Sequence, residues 1–218
     1  ASAAVINWSA PTDTIDQSQL IDGPVLLALD GSPALGATPV DGQRFSRANY
    51  ATINFVAAKN PGVNGAIDIS DGAASTGDAN FDRLLRSTAA ARTGISFGTQ
   101  TLDGLVPGES YTIQVFYNDQ RALAAKRSMT FGDGEAAQST VTLNAQGNGW
   151  GQFAVGTFIA DGSSQPLTHR PNQMINPHFN ALLVTGLAPA APEYVYAQRK
   201  NFLLAKGVNE WRVDSTED

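Results

Sequence analysis

Cysteine is absent from the 218 residues of this chain. That excludes a disulfide scaffold and every thiolate metal site. A chain of this length buries enough apolar surface to fold without a covalent staple, so the absence leaves export open. Histidine is nearly absent too: His169 and His178 are the only two. They stand in a Pro-rich stretch, a poor ligand set for zinc. No apolar run reaches the roughly 18 residues that a membrane-spanning helix needs. Positive charge is short, with 14 Lys and Arg against 20 Asp and Glu and a net charge of -6. Such a surface repels phosphate backbones and anionic membranes, which argues against nucleic-acid partners and leaves neutral glycans unaffected. Missing as well are a G-x-S-x-G elbow, a phosphate-binding loop and a dinucleotide fingerprint.

Turn chemistry is what the chain has in quantity. It holds 21 Gly and 11 Pro, and seven Asp-Gly pairs begin at Asp22, Asp30, Asp41, Asp71, Asp103, Asp133 and Asp161. Asp-Gly between apolar runs signals a hairpin or a tight turn. Strand-like runs fill the gaps: residues 5–9, 25–29, 44–45, 53–57, 94–98, 110–118, 127–131, 140–143, 153–158 and 179–184. No long helical periodicity separates them, so the sheets are expected to be largely antiparallel. In 110–118 the period-2 pattern puts Tyr111, Ile113, Val115 and Tyr117 on a core face. Thr112, Gln114, Phe116 and Asn118 fall on a polar face, expected to be exposed or ligand-lined.

One short helix is expected inside this domain, over 80–87. Asp78 or Asn80 would cap it, and Phe81, Leu84 and Leu85 would share one face. It would plug one end of the sandwich. Beyond Val184 the texture changes: LAPAAP at 187–192 reads as a stiff linker, 193–206 as a helix, and 214–218 as an acidic, disordered tail. The expected division is therefore a β-sandwich domain over 1–187, followed by linker, short helix and tail over 188–218. The opening ASAA matches the small residues left by a signal-peptidase cut, and equally a plain chain boundary.

Three constellations bear on function. Asn118, Asp119, Arg121 and Arg127 gather at the end of the longest strand. An Asp and an Arg so placed would clamp the vicinal hydroxyls of a sugar through charge-assisted hydrogen bonds. Phe116, Tyr117 or Trp150 would supply a stacking face for a pyranose ring. The bland alternative is an Asp119–Arg127 or Asp119–Arg121 pair that ties a loop to the sheet, with Trp150 closing the sandwich edge. Asp68, Asp71, Asp78 and Asp82 crowd one short stretch, and the first three are candidate ligands for a structural calcium, against a role of Asp71 and Asp78 in turns and caps. Catalysis has thin support: a lyase would draw on His169 or His178 with a Tyr or Arg, although His169-Arg170 reads more simply as a solvated turn.

The blocks LDGLVPGESYTIQVFYNDQR (102–121), GQFAVGTFIADGSSQ (151–165) and NALLV (180–184) resemble, in order, a family of secreted β-sandwich modules from planctomycetes and verrucomicrobia. In that family the pattern is sGLtpGqtYqvqlfvNDsR, a later arginine (here Arg127), GqyviGtFtADatsQ and NALqlr. The resemblance spans roughly residues 5–187. It implies an all-β, galactose-binding-like jelly-roll sandwich, akin to malectin and carbohydrate-binding modules. No sorting segment of the family's kind follows Val184. The expected function is a non-catalytic polysaccharide-binding module of a secreted or cell-surface protein, alongside other domains. A structural or adhesion module without sugar binding is the alternative, and a polysaccharide-processing enzyme the third.

Overall fold

The computed structural model describes residues 3–31, 38–47, 53–54, 67–68, 74–88, 98–120, 127–134, 136–146, 149–172 and 177–186. In chain order the strands are β1 (Asn7–Trp8), β2 (Thr12–Asp13), β3 (Val25–Asp30), β4 (Thr38–Val40), β5 (Gln43–Arg47), β6 (Ile53–Asn54), β7 (Ile67–Asp68), β8 (Ser87–Thr88), β9 (Gly98–Asp103), β10 (Ser110–Tyr117), β11 (Ser128–Gly132), β12 (Thr140–Asn144), β13 (Gln152–Ile159), β14 (Ser164–Pro171) and β15 (Ala181–Gly186). A single α-helix, α1 (Ala79–Arg86), lies between β7 and β8 among the described residues.

Two sheets carry the fold. An eight-stranded sheet runs β1-β13-β10-β15-β3-β5-β4, with β2 also on β13, and a five-stranded sheet runs β12-β11-β14-β9-β6. A small β7–β8 pair completes the set. Among the described residues pairing is antiparallel except for β3 beside β5. The protein is thus mainly β: two sheets packed face to face, with one short helix. All described residues fall in one compact unit, Ala1–Ala188. The linker, helix and tail expected beyond it lie outside the described residues.

The core follows from period-2 alternation. Tyr111, Ile113, Val115 and Tyr117 of β10 point inward, joined by Ala154, Phe158, Leu182 and Val184. The five-stranded sheet answers with Leu102, Met129, Phe131, Val141, Leu143 and Leu167. Tyr111 and Phe158 are direct cross-strand partners with ring centroids 5.7 Å apart.

The opposite face of β10 departs from expectation. Gln114, Phe116 and Asn118 are fully buried, not exposed or ligand-lined. The reason is a third layer. Phe81, Leu84 and Leu85 of α1 join Phe116, Phe153, Ala181, Leu183, Val40 and Phe45 in a second apolar cluster. The helix therefore lies across the outer face of the large sheet instead of plugging an end of the sandwich. Burying those three side chains contributes on the order of 2 kcal/mol each, which is ample to hold a helix of eight residues that would not persist alone. Asp78 starts it as the sequence suggests: its Oδ1 accepts from the Asn80 and Phe81 amides at 2.7 and 2.9 Å.

Local rules explain most of the rest. At Asp41-Gly42 both residues have positive φ, 45° and 75°, the two-residue turn whose twist suits a tight hairpin between β4 and β5. Along β13, Gly156 is a notch: a Cβ there would stand 2.5 Å from Ile6 Cγ2 and 2.8 Å from Trp8 Cε3. The missing side chain is what lets β1 lie against that edge. One strand was not expected at all. β14, SQPLTHRP, reads as a polar loop, yet Gln165, Leu167 and His169 are buried along it. Its Pro166 falls where the β11 ladder (168–171) has already ended, so the missing N–H breaks no bond on that side. Of the strand expected at 94–98, residues 94–97 lie outside the described residues; β9 runs from Gly98 to Asp103 and pairs with β14 from His169 to Ser164.

Candidate functional site

β10, β3 and β14 end, and β11, β13 and β15 begin, at one end of the sandwich. The sequence motif 118–121 lies here, and so do most of the buried polar groups.

Asn118 and Asp119 follow β10 directly, and both have 0% exposure. The Asn118 amide donates to Asn180 Oδ1 at 2.7 Å, and its Nδ2 donates to the Leu85 carbonyl at 3.0 Å. Asn180 Nδ2 reaches the same carbonyl at 2.9 Å. Leu85 is in the last turn of α1, where carbonyls have no partner within the helix. Two asparagine amides from neighbouring strands thus cap the helix C-terminus and bolt it to the sheet. Gln120 Nε2 joins the cluster, donating to Asn118 Oδ1 and, at 3.1 Å each, to the Ala145 and Gln146 carbonyls.

Asp119 meets Arg127 as one of the sequence alternatives has it. Arg127 NH1 stands 2.8 Å from Asp119 Oδ2, with the arginine side chain 20% exposed and the carboxylate fully buried. The Asp119 amide donates to the Ala145 carbonyl at 3.0 Å, so the pair ties the start of β11 to the end of β10 and the residues after β12. Phe116 is sandwiched between Phe81, edge-on at 5.9 Å, and its cross-strand partner Phe153 at 5.4 Å. Trp150 is 6% exposed, and its indole Nε1 donates to the Ala74 carbonyl at 2.6 Å, which pins the segment ahead of α1. Neither ring presents a free face for stacking. Among the described residues the exposed large apolar side chains are Val5, Ile15 and Ile159, none of them aromatic.

Arg121 and Asp71 lie outside the described residues, as does the Asp68 side chain. Asp78 spends a carboxylate oxygen on the helix cap. No group of three or more metal-ligating side chains occurs among the described residues. Beside this cap, Asp82 is held below the ordinary carboxylate range. Its burial opposes that shift, and hydrogen bonds from the Ser75 and Thr76 hydroxyls and the Thr76 amide outweigh the burial.

The two histidines are not in a solvated turn. His169 sits in β14 at 2% exposure, packed between Phe131 at 5.1 Å and Phe179 at 5.3 Å. His178 rests on the Tyr117 ring at 4.9 Å. Sequence reading also missed the amides that act as backbone surrogates. Gln165 accepts from the Ala4 amide and donates to its carbonyl, at 3.0 and 3.1 Å. Gln114 does the same for the Ile21 amide and the Gln19 carbonyl.

These features define a β-sandwich-like protein with a polar, internally bonded end. Scans against protein-family models and curated proteins give no match to this chain.

Proposed function

We propose that this chain is a non-catalytic module of an exported or cell-surface protein, a galactose-binding-like jelly roll that serves as a structural or adhesion unit. The observation that carries this reading is the commitment of Asn118 and Asp119: both are fully buried, and their polar atoms hold α1, β11 and the β12–β13 connection in place. A block motif of that kind is explained by folding alone. The ordered sequence blocks support the jelly-roll assignment, and their resemblance to secreted modules supports export.

Polysaccharide binding is the second reading, favoured by Arg127. A buried carboxylate behind it fixes the guanidinium while a fifth of the side chain stays open. A donor set of that kind suits sugar hydroxyls or uronates. The test is affinity-gel retardation and glycan-array binding across neutral and acidic polysaccharides. Absence of retention on every glycan supports the structural reading. Retention that disappears in Arg127→Lys, with the fold intact, overturns it in favour of sugar binding.

A further inference from the structure

The two histidines tie opposite sheets together. His169 belongs to β14 of the five-stranded sheet. His178 lies just ahead of β15 of the eight-stranded sheet, on the ring of Tyr117 from β10. Phe179, one residue on, meets His169 edge-on at 67°. The carbonyl of Phe179 is held in turn by the Thr88 hydroxyl at 2.7 Å. His169 is therefore enclosed by rings, and its Nε2 has no hydrogen-bond partner among the described residues. That is a poor place for a positive charge and a good one for a neutral imidazole.

We propose that His169, wedged between the two sheets beside His178, is an acid-sensitive latch: neutral, it packs the sheets together at this end, and protonated, it drives them apart.

The surroundings support this. β11 faces His169 with Phe131, and β9 with Gly98, its cross-strand partner. Neither bears charge. From the segment before β15 comes His178, and behind it the Tyr117 phenol of β10. The neighbour on its own strand, Arg170, is on the other face of the sheet. Among the described groups, His178 supplies the charge that His169 feels, and it is repulsive. Burial first, and that repulsion second, push the imidazole down to about 3. A histidine whose basicity is depressed on folding leaves stability intact above its unfolded value near 6.5 and removes it as pH falls from there toward 3. Within that window this single group lowers the folded-to-unfolded ratio about 30-fold between pH 7.5 and pH 5.

The decisive experiment pairs two measurements on the full chain. Urea unfolding from pH 7.5 to 5 compares the wild type with His169→Leu. The wild-type ratio is expected to fall about 30-fold more than that of the variant. Equal pH slopes in the two proteins overturn the latch. Because the leucine variant can fail to fold, NMR titration of the wild type provides the second measurement. With two imidazoles in the chain, the His169 signal is the one retained in His178→Gln. It is expected to keep its neutral-form shift down to pH 4.5 for as long as the protein is folded. Titration of that signal near pH 6.5 in the folded state overturns the proposal.

Discussion

Asn180→Asp probes the polar end most sharply, because it changes one donor into an acceptor with almost no change in shape. In the native protein Asn180 Oδ1 accepts from the Asn118 amide at 2.7 Å while Nδ2 donates to the Leu85 carbonyl at 2.9 Å. An aspartate keeps the first bond and replaces the second with two oxygens facing each other, inside a site with no exposure. Burying a carboxylate against a carbonyl costs about 3 kcal/mol or more. Asn180→Ala loses both bonds and leaves the buried Asn118 amide without its acceptor, again about 3 kcal/mol. Asn118→Ala is milder. Leu85 keeps its bond from Asn180, and Gln120 keeps two carbonyls, so the cost is about 1 kcal/mol. The prediction is thus an order: Asn180→Asp and Asn180→Ala well below Asn118→Ala in stability. Urea unfolding with unchanged m-values measures it, and thermal melts should show a drop of about 6–12 °C for the larger loss. Equal costs, or a more damaging Asn118→Ala, would refute the helix-bolt account of the 118–120 motif.

The remaining predictions concern other joints of the fold. Gly156→Ala forces a methyl onto Ile6 and Trp8, so β1 should be displaced at a cost of about 1–3 kcal/mol. Faster proteolysis ahead of Pro11 and a shifted tryptophan emission report it, and unchanged values for both count against the notch. Arg127→Met takes the guanidinium away from a fully buried carboxylate, with an expected loss of about 3 kcal/mol that Asp119→Asn should partly restore in the double variant. Additive losses in that cycle would show that the pair is not coupled. Asp78→Ala removes the acceptor of two amides at the start of α1 and should cost about 1 kcal/mol by urea unfolding.

Alternation and turn chemistry made much of the fold legible before any coordinates. β3, β5, β10, β11, β12 and β13 fall within one or two residues of the runs read from the sequence, and α1 is displaced by a single position. The exceptions share a cause. β14 carries two prolines and few apolar residues, and it becomes a strand because β9 and β11 flank it and three alternate side chains face the core. Likewise, the outer face of β10 has a polar pattern typical of a wet surface. It is dry because a helix distant in sequence covers it, and Gln114 and Asn118 bond to backbone instead of water. The candidate site was legible as a place and as one salt bridge, Asp119–Arg127. Asn180 was hidden as a motif residue without a partner, since its role depends on the Leu85 carbonyl 95 positions away.

The position of β15 has a consequence for how the chain reaches its native state. This strand lies between β10 and β3 and joins the two halves of the large sheet, yet it is the last strand in sequence among those described. Until residues 181–186 are made, β3 and β10 have no common neighbour, and the Asn180 bolt and the His178 side of the latch do not exist. A nascent chain stopped short of that point holds two unfinished sheet fragments instead of a folded intermediate. Long-range pairing of this kind is expected to make folding slow and to complete it only when β15 docks.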